Sequence, residues 1–375
     1  MEARAAILES PVESADFSES RPLSFETIDV EEPGREEVLV EVAAASLCHT
    51  DVAMALGHLD EQYPLVTGHE GAGVVRAVGE GVTSVGPGDH VVLGRITCGT
   101  CHYCRQGKGQ LCEERTVAKG NGSLRNEQFR FRRDGERAYH CHGVSSFSTH
   151  TVVNEEVAIG ITDEVPLDRA TLLGCGVFTG FGAVTNTADV EPGADVVVFG
   201  AGGVGLSAVQ GAALRSVGNL VVVDVVPEKL DVARELGATH TVDGSETDPV
   251  ERVREITGGG ADYAFDVVGA PAVTEQAIDA LHPTGTAVLV GIPPSGKHDV
   301  GVELNQFITG EKRLLGSFNG SYSLPLAIPK LADLVASGDL SLDELVTDTR
   351  PLGELNEAME RLEDGTGIRQ VVLPE

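Results

Sequence analysis

Positive charge is scarce in this chain: 27 Lys and Arg stand against 58 Asp and Glu over 375 residues, a formal net charge of −31. A surface so charged repels phosphate backbones and anionic headgroups, which argues against nucleic acid and membranes as partners. The acidic residues are scattered, as at Glu13, Asp16, Glu31, Glu32, Asp163, Asp231, Asp343 and Glu363, and form no tail. Self-repulsion of this size is relieved by screening, so the composition suggests a salt-rich cytoplasm, with an ordinary acidic enzyme as the alternative. Also missing is any apolar run near the roughly 18 residues that a membrane span needs. The N-terminal MEARAAILES lacks the apolar run with basic flank of a secretory leader, so the expected location is the cytoplasm. A disulfide framework is a poor expectation too, because seven cysteines is an odd number and no leader directs the chain to an oxidising compartment. Metal binding or catalysis is the better use for these thiols.

Four of them fall in CGTCHYCRQGKGQLC, as Cys98, Cys101, Cys104 and Cys112. The spacing C-x2-C-x2-C-x7-C lets four sulfurs converge tetrahedrally on one Zn²⁺ at about 2.3 Å. Four thiolates leave no open position, so such a site is structural, a clip on a loop whose Gly99, Gly107 and Gly109 allow tight turns. An iron–sulfur cluster uses related spacings, but nothing ferredoxin-like follows. The other three are far apart: Cys48 in SLCHTD, Cys141 in YHCHGV and Cys175 in LLGCGVFTG. Each alone reads as a small buried hydrophobe. Between them GHEGAG offers His69 and Glu70. Two thiolates and one neutral imidazole would neutralise Zn²⁺ and leave its fourth position free, as a catalytic zinc requires. Asp51, three residues after Cys48, could accept the second imidazole N–H of His69.

From about residue 195 the pattern becomes alternating apolar strands and helices. DVVVFG reads as a buried parallel strand, GAGGVG as a turn into the helix LSAVQGAALRSVG, and NLVVVDVV as the next strand. Gly200, Gly202 and Gly205 thus form G-x-G-x-x-G in a strand–turn–helix setting, with Gly203 and Val204 opening the helix. The first glycine permits the turn, the second lets backbone approach a pyrophosphate, and the third lets helix pack on strand. Asp224 ends the second strand, where a carboxylate binds ribose hydroxyls and repels a 2′-phosphate, favouring NAD over NADP. Helices at KLDVARELGA and VTEQAIDAL and strands at ADYAFDVVG, TAVLVGI and RLLGSF continue the series, giving five located strands of an expected six-stranded, doubly wound parallel α/β sheet (a Rossmann domain) over residues 179–321. Residues 1–178 carry glycine-punctuated β patterns and form the expected β-rich domain with both metal sites. Residues 322–375 return to helix and strand and are expected to rejoin that first domain. Residues 113–138 read as a charged surface loop.

With both constellations assembled, the chain resembles the zinc-dependent alcohol dehydrogenases of the medium-chain dehydrogenase/reductase family along nearly its whole length. The resemblance implies a GroES-like β-rich catalytic domain beside the Rossmann domain. It implies a catalytic zinc on Cys48, His69 and Cys175, with Glu70 as an occasional ligand, and a structural zinc on the four clustered cysteines. It further implies oxidation of an alcohol to an aldehyde or ketone, or the reverse, with hydride passing to or from C4 of NAD. Thr50 matches the hydroxyl that carries the proton away, although a helix cap is an equal reading of CHTD. His49 and Arg369 match contacts to the cofactor pyrophosphate, and Lys229 lies near the adenosine ribose by the same comparison. A homodimer or homotetramer is expected.

The chain departs from the pattern in places. Ala53 stands where many relatives end the proton relay on histidine, and His58 is a weak substitute, being a lone loop residue. Gly94, Cys141 and His142 stand where relatives line the alcohol pocket, and a side chain lost at Gly94 would leave roughly 100 Å³ for a wider substrate. Bulky or aromatic primary alcohols are therefore the expected substrates, and VVVDVVPEKLDVARELGATH and IPKLADLVASGDLSLDELVT resemble aryl-alcohol dehydrogenases. Two alternatives stand beside this: glutathione-dependent formaldehyde dehydrogenase, for which Arg115 is the nearby cationic anchor, and a non-enzymatic NAD-binding structural protein on the same fold.

Overall fold

A computed structural model describes residues 1–293, 296 and 299–374. The chain packs as two units, one formed by Met1–Cys175 with Tyr322–Glu375, the other by Gly176–Ser321.

In the first unit, strands Glu2–Leu8, Leu23–Val30, Phe131–Arg133, Glu136–His140 and Leu65–Val66 close a barrel in that order. A second sheet runs in the spatial order Ala158–Gly160, His90–Leu93, Gly71–Val78, Glu37–Leu47, Arg369–Leu373 and Val346–Pro351. Its long strand EVLVEVAAASL is buried along most of its length, and its small alanines allow close packing on neighbouring strands. Register at the end of this sheet positions the site: Ala45 lies opposite Gly71, and Leu47 opposite Gln370. The residues just beyond those pairs are Cys48, Glu70 with His69, and Arg369. Three adjacent strand ends therefore deliver them to one place, although they are far apart in sequence.

The second unit holds a six-stranded sheet in the spatial order His240–Asp243, Leu220–Asp224, Val196–Phe199, Ala261–Asp266, Leu281–Leu289 and Arg313–Gly316. Every neighbouring pair is parallel. Burial of Val196, Val197, Val198 and Phe199 on both faces explains the unbroken apolar run. The strand that no apolar run announces, His240–Asp243, lies at an edge and buries only Val242. At the opposite edge, Arg313–Gly316 exposes all four residues.

One expectation is corrected. Residues 113–138 are not a loop: they form the helix Glu113–Asn121 and two barrel strands. Arg125, Arg130, Arg132 and Arg133 in this stretch form ion pairs. Arg130 forks onto the fully buried Glu37, with Nε 2.6 Å from Oε2 and Nη2 3.1 Å from Oε1, satisfying a carboxylate that would otherwise be costly to bury.

His140, on the last of the barrel strands before the loop to residue 150, is fully buried, and its Nε2 accepts from the Arg130 amide at 3.1 Å. Burial depresses its pKa to about 3, with the Arg130 charge adding to the effect. The unfolded chain therefore binds this proton more readily than the folded one from about pH 6.5 down to about 3, and stability falls as pH drops through that window. This site contributes a loss of about 1.4 kcal/mol per pH unit in the middle of the window. Urea unfolding midpoints measured between pH 7 and 5 are expected to fall, and His140→Gln to flatten that decline; an unchanged slope in the variant would contradict the assignment.

Candidate active site

Cys48 follows the strand Glu37–Leu47 and precedes the helix His49–Ala55. The Asp51 carboxylate reaches back to that helix start, its Oδ2 accepting from the Cys48 amide at 3.0 Å. Its other oxygen, Oδ1, accepts from His69 Nδ1 at 2.9 Å. One buried carboxylate thus fixes the backbone of one candidate ligand and the ring of the next. His69 sits between Gly68 and Glu70; Gly68 has φ +93°, and a Cβ there would stand 2.4 Å from the Phe147 amide nitrogen. Only glycine fits so close an approach. Cys175 ends the short helical stretch Thr171–Gly174.

One ligand atom from each of Cys48, His69, Glu70 and Cys175 lies within 4.8 Å of the others. His69 Nε2 is buried with no hydrogen-bond partner, as is Glu70 Oε1, and the two are 3.8 Å apart. Buried polar atoms are rarely left unsatisfied, so this pair, facing two sulfurs, fits a bound cation. The donor set, two sulfurs and an imidazole with a carboxylate beside them, suits Zn²⁺. The four groups also shift one another's titration. The Cys175 thiol, assisted by His69 and Arg369, holds Cys48 well below the ordinary thiol range despite burial, and Cys48 in turn pushes Cys175 up. Burial disfavours charge on His69, yet Asp51 outweighs it and the ring sits above its ordinary value. Burial lifts Glu70 to about 7 against the pull of Arg369, whose Nη2 is paired with Glu70 Oε2.

The second cluster brings Cys98, Cys101, Cys104 and Cys112 within the same 4.8 Å limit. No two of the seven cysteines are disulfide-bonded. Cys98 Sγ and Cys104 Sγ are 3.9 Å apart, close to the ~3.8 Å edge of a tetrahedron with ~2.3 Å metal–sulfur bonds. Amides of Cys98 and Cys101 point at Cys112 Sγ and Cys98 Sγ, each at 3.4 Å. Such N–H···S contacts stabilise thiolates. Gly109 serves close packing rather than a turn, since a Cβ there would stand 2.7 Å from Thr97 Cγ2.

In the second unit the glycine loop behaves as its spacing implies. Gly200 has φ +103°, the space beside Gly202 is open, and a Cβ on Gly205 would come 1.9 Å from the Gly200 carbonyl oxygen. The helix Gly203–Leu214, which includes Val204, starts there. Asp224 Oδ2 accepts from the Ala201 amide at 2.6 Å, and Oδ1 accepts from Val225 and Val226. This carboxylate therefore also braces the loop. Lys229 lies half-buried on the helix Pro227–Glu235 just beyond.

Thr50 Oγ1 lies 3.8 Å from Cys48 Sγ, while His49 and His58 are exposed. Gly94 opens no cavity, because a Cβ there would meet Ile159 Cδ1 at 2.6 Å. Cys141 is not a lining residue either: it is fully buried in a core cluster, 3.6 Å from Met54 Sδ. His142 is closer to the site, its ring centroid 5.9 Å from that of His69. Its Nε2 is 3.1 Å from Glu61 Oε1, which also pairs with Lys119 at 3.5 Å. Burial, then the charge of Arg95, keeps His142 well below its ordinary pKa and so neutral. Sequence reasoning missed Glu61, one acid among many in LDEQYP, and Arg95, a single cation between an apolar strand and the cysteine lobe. No spacing rule marks either.

Residues 34–163 match the family pattern described as an alcohol dehydrogenase GroES-like domain, and residues 203–337 that of a zinc-binding dehydrogenase. The chain belongs to the zinc-dependent alcohol dehydrogenases of the medium-chain dehydrogenase/reductase family. It is 38% identical over 377 aligned residues to an S-(hydroxymethyl)glutathione dehydrogenase of Synechocystis, the match covering 99% of this chain and 100% of the relative. A crystal structure of an alcohol dehydrogenase zinc-binding domain protein from Burkholderia ambifaria matches with a TM-score of 0.93 at 36% identity, over 100% of this chain and 99% of that one. Benzyl alcohol dehydrogenase from Acinetobacter calcoaceticus matches with a TM-score of 0.91 at 32% identity and the same coverage. The chain is accordingly an oxidoreductase that uses zinc and a nicotinamide cofactor, and the non-enzymatic alternative falls away. No helix among the described residues is long and apolar enough to cross a membrane.

Because Asp51 fixes both Cys48 and His69, Asp51→Asn is expected to weaken zinc binding at this site by roughly 10- to 100-fold, leaving the four-cysteine site at full occupancy. Zinc competition against a chelator measures this; equal loss from both sites, or from neither, would contradict the reading.

Proposed function

We propose that this enzyme transfers hydride between NAD and a primary alcohol/aldehyde pair bearing a bulky or aromatic group, with Cys48, His69 and Cys175 as ligands of the catalytic zinc. The observation that carries the reading is the buried, unpartnered His69 Nε2 facing two sulfurs, with Asp51 fixing the opposite ring nitrogen. A zinc ion held there supplies Lewis acidity toward an alcohol or carbonyl oxygen. Thr50 takes the hydroxyl proton as alcohol is oxidised; Ala53 has no group to receive it, so the proton passes to water, with exposed His58 a spectator. Glu70 and Arg369 form an internal pair that keeps a carboxylate in reach of the metal and orders the strand end, while Arg369 and His49 are also assigned to the cofactor pyrophosphate by resemblance. The four clustered cysteines hold the structural zinc.

On the cofactor side, the amides of Gly203 and Val204 at the helix start suit the pyrophosphate. Asp224 disfavours a 2′-phosphate, and Lys229 is assigned to the adenosine ribose. The exposed, apolar edge strand with Leu314 and Leu315 supports assembly as a homodimer or homotetramer by edge pairing. Seven cysteines with no disulfide among them support a cytoplasmic location.

The aromatic preference no longer draws on Gly94 or Cys141; it draws on the likeness to benzyl alcohol dehydrogenase. A second reading has its own support: the relatives at 38–39% identity act on S-(hydroxymethyl)glutathione by name, and that adduct is also a bulky primary alcohol, but with carboxylates. Arg115 lies close enough to Arg95 for their charges to interact; burial and that repulsion lower its pKa to about 10.

Steady-state rates with NAD are expected to give kcat/KM for benzyl alcohol roughly tenfold or more above that for S-(hydroxymethyl)glutathione, with NADP the poorer cofactor. The opposite ranking would establish the second reading in place of the first.

A further inference from the structure

We infer that Arg95 is a positioning residue of the catalytic zinc site, its guanidinium donating a hydrogen bond to the Cys175 sulfur and drawing charge from that ligand. The inference rests on the reading of Cys175 as a zinc ligand.

Arg95 follows the strand His90–Leu93 by two residues and is 8% exposed. Its Nη2 lies 3.4 Å from Cys175 Sγ, within the range for a hydrogen bond to sulfur. Among the described residues, no carboxylate lies within salt-bridge distance of it, and its Nε has no hydrogen-bond partner. A buried arginine ordinarily keeps a carboxylate partner, because an uncompensated buried charge is costly. Here the anion that compensates it is the thiolate. The two candidate thiolates are therefore unlike: Cys48 has a neutral hydroxyl 3.8 Å away, whereas Cys175 has a full cation.

The backbone that carries Arg95 is anchored on its C-terminal side. Thr97 Oγ1 donates to the Arg95 carbonyl at 3.2 Å, Ile96 is fully buried in a core cluster, and the Cys98 amide is tied to Cys112 Sγ. The cysteine lobe thus anchors the backbone that aims Arg95. A charge-assisted hydrogen bond to a ligating sulfur lowers its donation to the metal, leaving the metal a stronger Lewis acid. This gives the lobe a role beyond local stability.

The test replaces zinc by Co²⁺ and records the sulfur-to-metal charge-transfer absorption, with the contribution of this site taken as wild type minus Cys48→Ser. Arg95→Met is expected to move that band to lower energy, since a sulfur relieved of its donor gives up charge more easily; Arg95→Lys, which keeps a cationic donor, is expected to move it less. Arg95→Gln is measured alongside, so that a misfolded Met variant leaves the comparison intact, and is expected to shift the band in the same direction. A band at the wild-type energy in both neutral variants would overturn the assignment. A wild-type spectrum identical to that of Cys48→Ser would instead overturn the zinc-site reading on which it rests.

Discussion

The site depends on one carboxylate in an unusual position. Asp51 is almost wholly buried, and it spends one oxygen on the Cys48 amide and the other on the His69 ring. Two candidate metal ligands from different strand ends are thereby held by a single residue on the first turn of a helix. Without it, a strand end and an imidazole would each have several orientations, and a tetrahedral ion tolerates few. The cost of burying Asp51 is offset because both its oxygens accept hydrogen bonds.

Charge around that carboxylate is arranged in local pairs. Glu70 is matched by Arg369, Glu61 by Lys119, with neutral His142 as a hydrogen-bond partner, and the Cys175 sulfur by Arg95. In a chain of net charge −31, two buried arginines, Arg95 and Arg369, lie beside the candidate metal ligands, while Arg21, Arg35, Arg76 and Arg252 are examples of the exposed ones. At those two positions the low dielectric makes each cation count. The cysteine lobe joins this arrangement through Thr97 and Cys98, which continue directly from Arg95.

Much of this could be read before any coordinates. The glycine spacing, the apolar runs of the parallel strands and the doubled C-x2-C pattern each express a local rule, and each reappears where that rule puts it. What could not be read was long-range packing. Gly94 looked like a missing pocket wall, but Ile159 from a neighbouring strand fills the space. The charged stretch after Cys112 looked like a loop, but Arg130 and Arg132 pair with Glu37 and Glu31 from the N-terminal strands and the turn beside them, and Arg125 pairs with Glu156. The edge strand His240–Asp243 escaped because an edge buries one side chain where a central strand buries four. Arg95 was invisible for a related reason: its partner is 80 residues away.

The central claim is that Cys48, His69 and Cys175 share a metal distinct from the one in the four-cysteine lobe. Anomalous diffraction from crystals of the purified enzyme, recorded on both sides of the zinc absorption edge, tests it directly. The account predicts two peaks per chain, one of them bounded by two sulfurs and the His69 Nε2. A single peak, confined to residues 98–112, would contradict it.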